Sequence, residues 1–177
     1  MKGSFNVRKY PSFQEMDQTE VDKNELLIFA KHIQGFLIFS GTNGSGKSYA
    51  AEAIYNLNTP YRLPQQDRNL AIFITQCDLN DECNASFQEH RLYLINEYKN
   101  TKLLVIDDLG SRKPTDSFMD FLYSIVDFRW RNNLGTIITT NLNSNEIREL
   151  FGDRFLSRIA SGIVKRWNHQ DRRIKAF

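Results

Sequence analysis

Cysteine is nearly missing from this sequence, with Cys77 and Cys83 the only two among 177 residues. Their spacing suits neither a zinc knuckle nor a redox pair, and no second pair exists to complete a metal site. Histidine is almost as sparse: His32, His90 and His169 are scattered and propose no ligand set. Long apolar runs are lacking too, since Leu26 to Ala30 and Phe36 to Phe39 fall far short of the ~20 residues that a membrane span requires. Met1 to Tyr10 is mixed and polar, without the apolar stretch of a signal peptide. No charge of one sign dominates. A net charge of +2 excludes a polycation, so any grip on nucleic acid must come from a local patch. Internal repeats and low-complexity tracts are absent as well. The expectation is a cytoplasmic protein with no membrane segment, in the cytoplasm of a host if the gene is viral.

What is present is an ordinary globular composition, 41% hydrophobic and 25% charged, on a chain long enough for one well-cored domain and too short for two. Residues 1–34 are polar, carry Pro11 and end in an amphipathic stretch from Val21 to Ile33. They read as a short N-terminal extension, a segment for a partner, ahead of a core over residues 35–177. In the core, strands and helices alternate. Strands are expected at Phe36–Phe39, Leu70–Thr75, Leu103–Ile106, Gly135–Thr140 and Gly162–Trp167. Helices are expected at Lys47–Leu57, Ala85–Tyr98, Asp116–Trp130, Ser144–Leu150 (with Ser144 as its cap) and Asp153–Ala160. Pro60 and Pro64 bracket a surface loop. Alternation with near-continuous apolar strands predicts a three-layer α/β fold around a parallel sheet covered on both faces.

Gly41-Thr42-Asn43-Gly44-Ser45-Gly46-Lys47-Ser48 matches G-x-x-x-x-G-K-S/T in full. Glycines there let backbone N–H groups turn inward around a β-phosphate, and the helix that starts at the loop adds its positive end. Lys47 reaches the β- and γ-phosphates, and the Ser48 hydroxyl is a magnesium ligand. An apolar strand precedes the loop and an Ala-rich helix follows, which is the required context. Lys102 to Gly110 (K-L-L-V-I-D-D-L-G) is the second half of the site. An apolar strand ending in two acids delivers carboxylates to the C-terminal edge of the sheet. Asp107 is expected to hold Mg²⁺, mostly through water, and Asp108 to orient and deprotonate the attacking water. The cofactors are therefore ATP and Mg²⁺, in a P-loop nucleoside triphosphatase.

Two further segments narrow the family. Ile137-Ile138-Thr139-Thr140-Asn141 resembles the sensor-1 segment of AAA+ ATPases, with Asn141 placed to position the catalytic water. Asp153-Arg154-Phe155-Leu156-Ser157-Arg158-Ile159 resembles the arginine-finger segment of the initiator and helicase-loader clade. The order of these parts over residues 34–175 is similar to the DnaC/DnaI helicase loaders and the IstB transposition ATPases. The resemblance implies an AAA+ core with a central five-stranded parallel sheet. Arg158 would be the finger that completes a neighbouring subunit's site in trans, with Arg154 supporting it or replacing it. Arg173 falls where the family carries a basic residue near nucleotide or DNA. The sequence departs from the pattern in two ways: the acid pair is Asp-Asp where many members have Asp-Glu, and residue 177 leaves no room for a helical lid domain. The shorter Asp108 points to slow turnover, which suits a switch better than a motor.

Basic clusters stand at Arg8, Lys9 and Tyr10, at Arg112 and Lys113, and from Lys165 and Arg166 through Trp167 to Arg172, Arg173 and Lys175. Arginine and lysine neutralise phosphate, and Tyr10 or Trp167 could stack on unpaired bases. The leading reading is a helicase-loader ATPase that binds single-stranded DNA, a replicative helicase or both, as an ATP-assembled homo-oligomer; the small size fits a phage, virus or plasmid gene. Three alternatives stay open: an IstB-like transposition helper, a small nucleotide or metabolite kinase, and a nucleotide-gated module that barely hydrolyses ATP.

Overall fold

The computed structural model describes residues 23–59, 70–85 and 88–167. Its strands are β1 (Phe36–Gly41), β2 (Ala71–Thr75), β3 (Leu103–Leu109), β4 (Gly135–Thr140) and β5 (Ile163–Trp167). Its helices are α1 (Lys23–His32), α2 (Lys47–Asn58), α3 (Gln76–Ala85), α4 (Gln88–Asn100), α5 (Asp116–Arg131) and α6 (Ser144–Ala160). The strands form one five-stranded sheet in the order β2-β3-β4-β1-β5, with every neighbouring pair parallel.

Period-two alternation along each strand divides the core into two layers. Phe36 and Ile38 of β1, Leu104 and Ile106 of β3, and Ile138 of β4 face the layer closed by α3, α4, α5 and α6. Leu37, Phe39, Leu103, Val105 and Ile137 face the opposite layer, beneath α1 and α2. The strands read as unbroken apolar runs because both faces are covered. Each fully buried Leu, Ile or Phe stabilises the fold by about 1.5–3 kcal/mol. The three-layer α/β fold read from the sequence is the fold the chain adopts. Helix α1, inside the amphipathic stretch, buries Leu26, Phe29 and Ala30 against α2 and the sheet.

Several local readings change. A helix, α3, leaves β2 directly and precedes α4, where one helix from Ala85 was expected. The Thr75 hydroxyl accepts from the Asp78 N–H at 3.1 Å and donates to its carboxylate at 2.7 Å, which starts α3 despite a polar sequence. The cap of α6 is Asn143, not Ser144: its side chain accepts from Asn145 and Glu146 N–H, and Glu146 answers with a bond to the Asn143 N–H, forming a capping box. The break expected between two short helices falls at Gly152, whose backbone (φ 84°, ψ 162°) is non-helical inside α6. The Pro60–Pro64 loop and Phe87 lie outside the described residues.

Candidate nucleotide-binding site

The sheet order sets the site. Strand β4 lies between β1 and β3, so Asn141, just past its end, stands between the glycine-rich loop after β1 and the acids at the end of β3. A cleft of about 700 Å³ opens at this edge and is lined by Asn43, Gly44, Gly46, Lys47 and Ser48 from the loop, Asp107 and Asp108, and Asn141. Residues far apart in sequence thus meet as expected, and hydrogen bonds join them. The buried Lys47 Nζ donates to the carbonyls of Gly41 (3.1 Å) and Thr42 (2.7 Å) and to Asn141 Oδ1 (2.7 Å). Asn141 Nδ2 in turn donates to Asp108 Oδ1 at 3.2 Å. Only this sense of the amide satisfies an ammonium on one side and a carboxylate on the other.

The loop's shape has local causes. Gly41 has φ 142°, and a Cβ there would come within 1.7 Å of the Trp167 carbonyl oxygen. Only glycine lets β1 run this close to β5, whose Trp167 carbonyl also accepts from the Thr42 N–H at 3.0 Å. The Ser45 hydroxyl turns inward, donating to the Thr42 carbonyl at 2.8 Å. Gly46 begins α2 with no side-chain cap and no acid in the first turn. By contrast, α5 is capped by the Thr115 side chain and α6 by Asn143. A helix start with no side-chain cap and no acid in its first turn leaves its positive end unopposed, which suits a phosphate.

At the other wall, the β3–β4 register shifts between Ile106 and Leu109, which lifts Asp107 and Asp108 out of the regular ladder. Asp108 takes a left-handed backbone, φ 57°. Asp tolerates this conformation better than most residues, because its short polar side chain bonds locally. Thr139 fills the gap left in the ladder. Its hydroxyl accepts from the Asp108 N–H at 2.9 Å and donates to Asp107 Oδ1 at 2.5 Å. Gln76, fully buried, clips the following loop by accepting from the Gly110 N–H (2.5 Å) and donating to the Arg112 carbonyl (2.7 Å). Sequence reasoning passed over Thr139 and Gln76; the first is one of three threonines in β4, and nothing in the sequence sets it apart from Thr136 or Thr140.

Among the described residues no cluster of three or more His, Cys, Asp or Glu side chains could hold a metal. Ser48 and Asp107, both on the cleft wall, fit a cation that takes one or two protein oxygens and completes its shell with water and phosphate.

The arginines of α6 are not in the cleft. Arg158 lies against α5: its Nε donates to Asp127 Oδ1 at 3.1 Å, and its guanidinium stacks 4.0 Å from the Trp130 ring centroid. Arg154 is exposed and lies 5.0 Å from the Tyr123 ring centroid. Partial burial raises the Asp127 carboxyl, but the bond from Arg158, the charge of Arg131, the Tyr123 hydroxyl and the Arg158 charge more than offset this and hold its pKa below the ordinary value.

The basic clusters separate. Arg112 pairs with Asp81 at 2.9 Å, and Lys165 is tied to Glu25 of α1. Lys113 and Arg166 are exposed. Trp167 is 5% exposed and packs on Phe39 at 5.0 Å, so it is a core residue and cannot stack on a base. Arg8, Lys9, Tyr10, Arg172, Arg173 and Lys175 lie outside the described residues. Among the described residues no helix is long and apolar enough to cross a membrane.

Comparison with known proteins agrees with this fold. The replicative helicase loader DnaC of Escherichia coli (strain K12) is 29% identical over 144 residues, covering 77% of this chain and 56% of DnaC. The uncharacterized protein YdaV of the same strain is 31% identical over 123 residues, covering 68% of this chain and 47% of YdaV. The chain thus spans about half the length of these relatives. In structure it is similar to DnaI (TM-score 0.67, 20% identity, 91% of this chain and 89% of DnaI). It is also similar to the replication initiator DnaA bound to AMPPCP and single-stranded DNA (TM-score 0.77, 16% identity, 94% of this chain and 52% of DnaA). At these identities the structural likeness establishes the AAA+ P-loop fold. The profile of the family described as IstB-like ATP binding protein matches residues 4–176. With that match over nearly its whole length, the chain belongs to the IstB-like ATP binding proteins.

Proposed function

We propose that this chain is a Mg²⁺-dependent ATPase of helicase-loader type, which assembles with copies of itself on ATP and acts on single-stranded DNA, a replicative helicase or both. The observation that carries the reading is the bridge from Lys47 through Asn141 to Asp108, across a cleft whose α2 end is uncapped. In this reading the N–H groups of Gly41–Ser48 wrap the phosphates, and Lys47 exchanges its loop carbonyls for β- and γ-phosphate oxygens. Magnesium, held by Ser48 and Asp107, would neutralise phosphate charge. Asp108 takes the proton of the attacking water, and Asn141 orients that water once Lys47 has turned to the γ-phosphate. Arg158, outside its own cleft, serves the neighbouring subunit, with Arg154 beside it. Support for the DNA and helicase partners comes from relatives: DnaC is a replicative helicase loader, and the DnaA structure holds single-stranded DNA.

The family name favours a second reading, a transposition helper that would prefer duplex DNA and a transposase. One experiment tests the first reading and separates it from the second. ATPase rate per subunit is measured against protein concentration, with single-stranded or duplex DNA, for the native chain and Arg158→Ala. A rate that climbs with concentration and single strands, and collapses in the variant while ATP still binds, is the expected result. Stimulation by duplex alone favours the transposition helper. A flat rate, indifferent to DNA and to the variant, removes the loader reading.

A further inference from the structure

Arg158 is held in an unusual way. Only its Nε is hydrogen-bonded, to Asp127 Oδ1; among the described residues neither terminal Nη has a hydrogen-bond partner. The guanidinium carbon lies over the Trp130 ring, 4.0 Å from its centroid, and the Arg158 side chain is 23% exposed. Each part of this seat is itself fixed. Asp127 is braced by Arg131 Nη2 on Oδ2 (2.6 Å) and by the Tyr123 hydroxyl on Oδ1 (3.3 Å). Trp130 donates through Nε1 to the Ser161 hydroxyl (2.9 Å), which donates to the Arg158 carbonyl (2.7 Å). α5 and the second half of α6 are thus cross-linked around one arginine, whose two outer nitrogens form a free fork.

A fork of that kind matches a pair of phosphoryl oxygens. A free arginine side chain would instead lose rotamer entropy at every engagement. We propose that Asp127 and Trp130 are positioning residues for Arg158: Asp127 takes Nε, Trp130 fixes the plane, and both Nη groups are presented to the γ-phosphate bound by a second copy of this chain. This deepens the reading of Arg158 as a trans-acting finger and rests on it. The surface around Trp130, itself 37% exposed, is then the face that meets the neighbour's cleft. Seating the arginine beforehand lowers the cost of assembling a site from two subunits.

The test mixes subunits with complementary defects. Lys47→Ala cannot use its own cleft but keeps its finger; Asp127→Ala keeps its cleft but has an unseated finger. Alone, Asp127→Ala should lose about tenfold or more in kcat with ATP KM within about twofold, the pattern of a misplaced group. Mixed in equal amounts with Lys47→Ala, its rate per intact cleft should return to roughly half the native rate, since half of those clefts gain a native finger in a random assembly. Asp127→Asn, which still accepts from Nε, and Trp130→Phe, which keeps a ring under the guanidinium, should lie between the native chain and Asp127→Ala. Loss in Asp127→Ala without recovery on mixing would place its effect in folding or in its own cleft and overturn the proposal. Native behaviour of Asp127→Ala, beside a defective Arg158→Ala that recovers on mixing, would overturn it while the finger stands. An unaffected Arg158→Ala would end the finger reading itself.

Discussion

The Thr139 hydroxyl stands between the two acids, donating to Asp107 Oδ1 and accepting from the backbone N–H of Asp108, at the point where β3 slips out of register with β4. Thr139→Val keeps the shape and removes both bonds. It leaves the Asp108 N–H without its partner, which costs about 1–3 kcal/mol. It also frees the Asp107 carboxylate to swing. The expected outcome is a higher Mg²⁺ concentration for half-maximal ATPase and a kcat lower by about tenfold. Magnesium titration at saturating ATP reads this directly; an unchanged requirement would detach Asp107 from the metal.

Asp108 carries a second constraint in its backbone. At φ 57° it stands where a longer side chain gains no local hydrogen bond to offset strain. The left-handed backbone is therefore a structural reason for Asp at this position. Asp108→Glu, which restores the commoner acid pair, is expected to lower Tm by a few degrees, about 1 kcal/mol, without raising kcat. Faster turnover at unchanged stability would show that the backbone, and not the reach of the side chain, is indifferent here.

Arg129 marks the boundary of what could be read in advance. In sequence it is one more basic residue at the end of an amphipathic helix. In the fold it is fully buried, donating to the carbonyls of Tyr98 (2.9 Å), Lys99 (3.3 Å), Thr101 (2.8 Å) and Gly135 (2.6 Å) and to the Thr136 hydroxyl (2.8 Å). Burial pulls its pKa down to about 9, so the charge persists at neutral pH. Arg129→Met fills the space and orphans those acceptors. The expected loss is about 3 kcal/mol or more, roughly a 10 °C fall in Tm. A melt within a degree or two of the native chain would refute it.

The loop, the acid pair and the apolar strands were legible because each is a contiguous run whose chemistry is local: glycines for a nest, acids at a strand end, apolar runs for two-faced strands. Asn141 was picked out by resemblance, and the strand order that sets it between loop and acids was not read. Thr139, Gln76, Arg129 and Asp127 were not legible. Each acts on a partner at least 30 residues away or across the sheet, and nothing in its own neighbourhood distinguishes it from a solvated polar residue. Helix α3 was missed for a related reason, since QCDLNDECNA lacks an apolar stripe and is held by its Thr75 start and by Leu79 and Cys83 in the core. Trp167 erred in the other direction, an aromatic among basic residues that packs inward on Phe39.

Asp127 makes stability depend on acid. Its folded pKa lies below the ordinary 3.8, so as pH falls the unfolded chain takes up the proton first and the folded chain is penalised. The contribution is fully present above about pH 5 and is lost as pH falls through the folded-state value. Native chain and Asp127→Asn should therefore differ in Tm at pH 6 and converge below the ordinary carboxyl value of 3.8. A difference that stayed constant down to that acidity would mean the charge of Asp127 is not what Arg158 and Arg131 stabilise.

Asn141 tests the proposed site as a whole, because in that reading it must release Lys47 before phosphate is gripped. Asn141→Asp keeps an acceptor at 2.7 Å from the ammonium and strengthens it with charge, while turning the contact with Asp108 from a hydrogen bond into a like-charge repulsion. Lys47 should then be harder to pull away, raising ATP KM, and Asp108 should be pushed from its place, lowering kcat by about 10²-fold. Asn141→Ala removes both of the Asn141 bonds at once; it should lose kcat without the rise in KM, because only the loop carbonyls of Gly41 and Thr42 then compete for the ammonium, as they do in the native chain. The split between the two variants is the informative quantity. If Asp and Ala give the same KM, Lys47 reaches the nucleotide by a route in which Asn141 has no part.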